Sequence, residues 1–314
     1  MSPNCQICNS SGPHKEFFVQ DLLLGVGGEF EYIECESCGS VQIKSIPDDD
    51  VLSHAYPANY RSGQYIKASP LSAFIRRERD KHNLGLFSIV GMITKPSKGD
   101  QIMSIFKDLR LSKSAAILDV GCGFGYILDR LKRVGFSNLL GCDPYMPEGF
   151  RTEEAISVLS MTLDMVSGKF DVIMFNHSLE HVPNFAQTLS YARSKLNHGG
   201  VCLVRIPTTS SYAWKEYREF WAQIDAPRHI VVPSRMGMDI AGARCGFKLE
   251  KVIDDSTSYF QFFASEAYRR GLSLDQARSG DLGSKARMRE FHKKALRLNA
   301  AGEGDQAAFI LRAA

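Results

Sequence analysis

Ile117-Leu-Asp-Val-Gly121-Cys-Gly123-Phe-Gly125 decides the reading of this 314-residue chain. An apolar run, Ala115–Val120, leads into three glycines at every second position. A helical pattern follows over Tyr126–Val134, with Ile127, Leu128, Leu131 and Val134 on one face and Gly135 as its stop. Buried strand, glycine turn and helix make the unit of open α/β sheets, whose ligands lie at the carboxyl ends of the strands. Glycines in such a turn let a ligand approach the backbone closely. The spacing is G-x-G-x-G, not the G-x-G-x-x-G of dinucleotide sites. Asp119, two residues before the first glycine, would repel a pyrophosphate and suits a ligand bearing positive charge. Gly141-Cys-Asp143 closes a second strand, Asn138–Cys142, and puts a carboxylate where it can take both hydroxyls of a ribose.

Outward from this unit the alternation continues. Ala155–Leu159 reads as a third strand and Phe170–Phe175 as a fourth. Phe185, Leu189, Ala192 and Leu196 mark a helix face ended by Gly199-Gly200, and Val201–Ile206 reads as a fifth strand. Ser234 caps a helix running to Gly246, and Phe247–Ile253 and Tyr259–Ser265 read as two last strands. Such alternation predicts an α/β fold: a mostly parallel sheet covered by helices on both faces. The divisions that follow are a module at 1–44, a polar linker and helical cap at 45–110, the sheet domain at 111–265, and a basic helix with a frayed tail at 266–314.

Two further stretches carry chemistry, Phe170-Asp-Val-Ile-Met-Phe-Asn-His-Ser-Leu-Glu-His-Val182 and Leu196-Asn-His-Gly-Gly200, with Ile206-Pro207 after the fifth strand. Together with the glycine loop and Asp143 they resemble the class I S-adenosylmethionine-dependent methyltransferases over about residues 100–265. The resemblance implies a Rossmann-like seven-stranded sheet with the cofactor across the carboxyl ends of its first strands. It implies that Asp119, Gly121, Cys122, Gly123 and Gly125 line the cofactor and that Asp143 holds the ribose. Asn176, His177 and Ser178 then follow the fourth strand beside the methionine part. Many relatives carry an acidic residue by the adenine after the third strand; here that region is Ser160-Met161-Thr162, which leaves Met161 as an apolar contact.

The N-terminus holds a separate signal. Cys5-Gln-Ile-Cys8 and Cys35-Glu-Ser-Cys38 are two C-x2-C pairs. Each pair sets two thiolates on one side of a metal, and the second pair closes a tetrahedral site, so Cys5, Cys8, Cys35 and Cys38 are expected to hold one structural zinc. Asn9 and Gly39 follow the pairs and tolerate the left-handed backbone of a tight knuckle. A 44-residue module with little core of its own needs such a staple. A narrower resemblance, to zinc-containing small-molecule methyltransferases of sugar and natural-product chemistry, rests on these knuckles, on Tyr56-Pro and Tyr60, on Leu179-Glu-His-Val182, and on Trp221 through Asp225-Ala-Pro-Arg-His229.

Composition narrows the function classes. The chain is 44% hydrophobic and 23% charged, with a net charge of +3. That excludes a collagen, a wholly disordered chain and a small disulfide scaffold, and the charge is too balanced to argue for nucleic acid by itself. No apolar run approaches the roughly 20 residues of a membrane span. The N-terminus lacks the basic start and apolar core of a signal peptide, so a cytoplasmic setting with reduced cysteines is expected. Residues 1–44 carry two Lys against six Asp and Glu, a balance of −4; residues 284–297 carry six Lys and Arg against one Glu, a balance of +5.

Methyl transfer to a hydroxyl or carbon acid requires a base, and histidine suits neutral pH. His229, in the Pro-Arg-His segment of a loop with Trp214, Tyr217 and Trp221, is the first candidate, and His181 the second. The aromatic loop is expected to lid a substrate, with Tyr56 and Tyr60 capping it and Arg228 holding a phosphate or carboxylate of the acceptor. The reading is a methyltransferase for a small hydroxylated metabolite, a sugar or sugar-derived product. Two alternatives stay open: an RNA methyltransferase, for which the zinc module and the basic segment speak, and a non-catalytic interaction protein that has kept a cofactor fold.

Overall fold

The computed structural model describes residues 3–25, 28–56, 69–94 and 101–314. The first sheet is built by β1 (His14–Gln20), β2 (Glu29–Cys35) and β3 (Val41–Ile43). Helices α1 (Asp49–Ala55), α2 (Pro70–Asn83), α3 (Ile89–Ile93) and α4 (Ile102–Leu109) follow. Then come β4 (Ala116–Val120), α5 (Tyr126–Arg133), β5 (Asn138–Cys142), β6 (Val158–Leu159), β7 (Phe170–Asn176), α6 (Phe185–Lys195) and β8 (Leu196–Pro207). The chain continues through α7 (Tyr212–Tyr217), β9 (Val231–Val232), α8 (Arg235–Arg244) and β10 (Phe247–Asp254), and closes with α9 (Ser265–Arg269), α10 (Leu274–Ser279), α11 (Lys285–Ala301) and β11 (Gln306–Ala313).

The main sheet has seven strands in the order β10-β11-β8-β7-β4-β5-β6, and the fold is the expected Rossmann-like one. From β4 the chain first steps outward to β5 and β6, then returns to the other side of β4 with β7 and β8. The crevice where the winding reverses lies at the carboxyl end of β4, the position of Gly121–Gly125. Alternate residues of one strand serve opposite faces, and both faces are buried. Ile117, Val172 and Met174 pack with α4 and α5, while Leu118, Ile173 and Phe175 pack with the α6 and α8 side.

The ends of the chain differ from the sequence reading. Tyr259–Ser265 is no strand: Tyr259–Ala264 is a π-helical turn running straight into α9. Its aromatics recommend a strand, but their contacts follow helical spacing. Tyr259 packs on Phe263 four residues on, and Phe262 stacks on Phe291 of α11. The seventh strand is instead β11, in the segment expected to fray. It lies antiparallel between β8 and β10 and is buried on both faces, its alanines allowing close approach. The sheet therefore runs to residue 313, past the boundary drawn at 265.

The N-terminal module is not a free appendage. β3 pairs with β9, so the four-stranded sheet β1-β2-β3-β9 is completed by a strand from the main part of the chain. Thr209 Oγ1 donates to Gly39 O at 2.6 Å, Arg244 Nη1 donates to Ile7 O at 2.6 Å, and the Ser234 hydroxyl donates to Cys38 O. The charged run Arg76-Arg-Glu-Arg-Asp-Lys81 of α2 is not wholly turned to solvent. Asp80 is buried and takes a bidentate ion pair from Arg130 of α5 at 2.6 and 3.0 Å, tying the helical cap to the sheet.

Candidate functional site

The glycine loop is shaped by backbone that only glycine adopts cheaply. Gly121, Gly123 and Gly125 all have positive φ, between 51° and 73°. A Cβ at Gly121 would stand 2.5 Å from the Ser178 side chain, and one at Gly125 would stand 2.2 Å from Thr152, whereas one at Gly123 would meet open space. The loop is packed from behind and open in front. The Gly123 N–H donates to Asp143 Oδ2 and the Tyr145 N–H to Asp143 Oδ1, both at 2.9 Å, which fixes that carboxylate beside the loop. Ser178 donates to Val120 O at 2.6 Å and locks the exit of β7 onto the exit of β4.

A cavity of about 290 Å³ opens at this place, with Asp119, Gly121, Cys122 and Asn176 in its wall, joined by Tyr126 and Arg205. Asp119 is buried, and its Oδ1 has no hydrogen-bond partner among the described residues. Burial, reinforced by the charge of Asp143, pushes its carboxyl well above the ordinary range. An orphaned buried carboxylate facing a cavity suits a cationic ligand, as the ammonium and sulfonium of S-adenosylmethionine would be. Arg205 was not foreseen. It donates to Asn176 Oδ1 at 3.0 Å, lies 2.9 Å from His177 Nε2 and is paired with buried Asp255. Met161 sits just past β6, half-buried against the apolar core and away from the wall of this cavity.

The exits of β7 and β8 bring the two candidate histidines together. The imidazoles of His181 and His229 meet edge to face, centroids 4.7 Å apart. Nδ1 of His229 lies 2.8 Å from Gln223 O, and Nδ1 of His181 lies 2.9 Å from Arg228 O. A carbonyl oxygen only accepts, so both rings carry their hydrogen on Nδ1 and present a lone pair at Nε2 when neutral. Burial lowers the His181 pKa, and the neighbouring His229 ring adds to the effect. Between them lies Glu180, fully buried, 4.0 Å from His229 Nε2 and 3.6 Å from His177 Nδ1, with neither oxygen hydrogen-bonded among the described residues. Burial opposes its charge, but the surrounding imidazoles of His177, His181 and His229 hold its carboxyl down at about 2. Tyr56 places its hydroxyl 3.0 Å from His181 Nδ1. Tyr60 lies outside the described residues.

The N-terminal module holds this histidine loop in place. Tyr32 donates its hydroxyl to His229 O at 2.8 Å. Arg228, fully buried, is gripped by Asp21 at 2.7 Å and Asp225 at 2.6 Å, and also donates to Ala55 O. Its guanidinium is thus spent on the protein and is not offered to an acceptor, contrary to the expectation from sequence. Nor do the loop aromatics form a lid. Trp214, Tyr217 and Trp221 are all buried, with Trp214 bonded to Glu34 and Trp221 to Asp305.

The four N-terminal cysteines converge. Cys5 Sγ lies 3.7 Å from Cys38 Sγ and Cys8 Sγ 3.6 Å from Cys35 Sγ, with one sulfur from each residue within 4.8 Å of all the others. Zinc–sulfur bonds of about 2.3 Å set sulfurs roughly 3.8 Å apart in a tetrahedron, so the cluster fits that ion. Asn9 and Gly39 take positive φ, 66° and 70°, and donate back to Cys5 O and Cys35 O, as knuckles require.

Residues 98–252 match the family model of the methyltransferase domain. No curated protein matches the chain. Among solved structures, a cyclopropane synthase from Mycobacterium tuberculosis is similar at 17% identity over 78% of this chain and 99% of that one, with a TM-score of 0.44. An S-adenosylmethionine-dependent methyltransferase from Mesorhizobium loti is similar at 15% identity over 67% and 96%, TM-score 0.43. Another from Archaeoglobus fulgidus is similar at 18% identity over 63% and 86%, TM-score 0.42.

Proposed function

We propose, for a chain that carries an S-adenosylmethionine-dependent methyltransferase domain, that it methylates a small hydroxylated metabolite, a sugar or sugar-derived product, at a reacting atom set against His181 and His229. The observation that carries this is the pairing of a cavity for a cationic ligand with two imidazoles in contact at adjacent strand exits. When bound, S-adenosylmethionine supplies an electrophilic methyl group on a sulfonium. Asp119 meets the positive charge of the ligand, Gly121, Cys122, Gly123 and Gly125 let it lie against the backbone, and Asp143 takes its ribose. Asn176, held by Arg205, and His177 and Ser178 border the methionine part. The acceptor's proton leaves at the centre formed by His229, His181 and Glu180, with Tyr56 shaping the approach; Tyr60 is proposed from the sequence alone as a second capping residue.

Zinc on Cys5, Cys8, Cys35 and Cys38 is structural in this reading, because four thiolates leave no open position for chemistry. The RNA alternative loses its support from the module, whose knuckles and third strand face the rest of the chain. The test is incubation with labelled S-adenosylmethionine and a fractionated small-metabolite extract, with the product identified by mass. A labelled sugar-like product is expected. Label appearing only in RNA, or in no product while the cofactor binds, would overturn the reading.

A further inference from the structure

The cluster at Glu180, His181 and His229 has a feature that an imidazole base alone does not account for. Placing a carboxylate in full burial without one hydrogen bond is costly unless a cation meets it. Among the described residues, no neighbour of Glu180 fills that role by hydrogen bonding. His177 Nδ1 stays at 3.6 Å and His229 Nε2 at 4.0 Å. The Arg228 guanidinium is turned to Asp21 and Asp225, and that of Arg205 to Asp255, Asn176 and His177.

The histidines are set up in the way metal ligands are. Each fixes its tautomer by donating Nδ1–H to a backbone carbonyl, His229 to Gln223 O and His181 to Arg228 O. That arrangement orients the ring and leaves Nε2 as the donor to an ion. One ligand atom from each of Glu180, His181 and His229 lies within 4.8 Å of the other two. A divalent ion bound at about 2.0–2.2 Å draws its ligand atoms roughly 3–4 Å apart, and Glu180 Oε1 and His229 Nε2 already stand 4.0 Å apart.

From these observations we infer that Glu180, His181 and His229 form a second cation site, separate from the four cysteines, that takes one divalent ion of the zinc, cobalt, manganese or iron(II) class. Two imidazoles and one carboxylate suit those ions better than calcium or magnesium, which prefer oxygen throughout. Three protein ligands leave open positions; an acceptor hydroxyl bound in one of them would have its pKa lowered by the ion, and its proton would pass to solvent water, because the lone pairs of all three side chains are taken by the ion. The inference rests on the reading of this centre as the place where the acceptor is deprotonated, and it gives that centre a mechanism.

The experiment uses the full chain, purified with its cysteine-bound metal left in place. Cobalt(II) is titrated in, bound cobalt is counted by equilibrium dialysis and elemental analysis, and S-adenosylmethionine affinity is measured in the same samples. The expected result is one cobalt per chain, with the weak visible absorption of nitrogen and oxygen ligation and no thiolate charge-transfer band. Glu180→Gln, which keeps the shape of the side chain, and His181→Asn should each weaken cobalt binding at least tenfold while cofactor affinity holds. Wild-type protein that binds no cobalt, or cobalt binding unchanged in both variants, overturns the site and leaves the imidazole base in its stead. Loss of cofactor binding with cobalt retained would instead strike the methyltransferase reading and spare the cation site.

Discussion

The proposed cofactor side and the proposed acceptor side of this molecule are built on different plans. The cofactor side is centred on one contiguous strand–loop–helix unit, β4 through α5, with Asp143 only 20 residues beyond the loop glycine that donates to it, and is completed by Asn176 and Arg205 from the neighbouring strands. The acceptor side is assembled from distant pieces. His229 is held by Tyr32, 197 residues away, and Arg228 by Asp21, 207 residues away. A contiguous unit can form its geometry locally, whereas an assembled one depends on every segment that docks. Damage to the N-terminal module should therefore reach the acceptor centre and spare the cofactor site.

The largest effect should come from Arg228→Met. Removing one member of a fully buried charge network leaves Asp21 and Asp225 uncompensated, which costs about 3–5 kcal/mol of the roughly 5–15 kcal/mol that holds a domain folded. Denaturant unfolding should show that loss. A midpoint like that of the wild type would mean the network is not what clamps the loop. Next comes His229→Asn, which should lower turnover by about 10²–10⁴-fold while cofactor affinity is kept. Steady-state kinetics with an identified acceptor would check it, and full turnover would remove His229 from the chemistry.

On the cofactor side, Asp143→Ala should weaken S-adenosylmethionine binding by about 1–3 kcal/mol, the worth of hydrogen bonds to a charged group, with the unfolding midpoint little changed. Calorimetry reads it directly. Asp119 adds a pH signature. Burial and the Asp143 charge keep it protonated to higher pH in the free protein, and a cationic ligand would favour its ionised form. Binding should then release a proton, and affinity should rise with pH until the free carboxyl is itself ionised. Calorimetry in buffers of different ionisation enthalpy would detect the proton, and a pH-independent affinity would separate Asp119 from the ligand. The smallest effect is expected for Tyr32→Phe, which removes one hydrogen bond to the His229 carbonyl at a cost of about 0.5–1.5 kcal/mol. It should show in acceptor KM or turnover and not in cofactor binding.

The same contrast explains what could be read from sequence. The glycine loop, Asp119 and Asp143 were legible because strand, turn and helix announce themselves within 30 residues by apolar period and glycine spacing. The knuckles were legible because thiolate spacing is itself the geometry of the metal. Asp21, Tyr32 and Arg205 gave no signal, since an isolated Asp, Tyr or Arg carries no mark of what lies across the fold. Arg228 was misjudged for the same reason: a cation beside a candidate base invites a substrate, and only the fold brings Asp21 to it. Glu180 stood in view within Leu179-Glu-His-Val182, but the lack of a hydrogen bond to its carboxylate among the described residues belongs to the packed structure alone. β11 was missed because its alanines and its place after a basic helix resemble a tail, while its burial comes from the gap between β8 and β10.

The claim that the N-terminal module carries the acceptor centre while the cofactor side stands by itself can be met by one measurement. Hydrogen exchange is followed in wild type and in Cys35→Ser, segment by segment. Opening the cysteine cluster should loosen β2 and β3, release the Tyr32 and Asp21 contacts, and speed exchange across residues 218–232, with residues 116–143 keeping their protection and S-adenosylmethionine its affinity. Unchanged exchange at 218–232, or equal loss of protection at 116–143, would contradict the account.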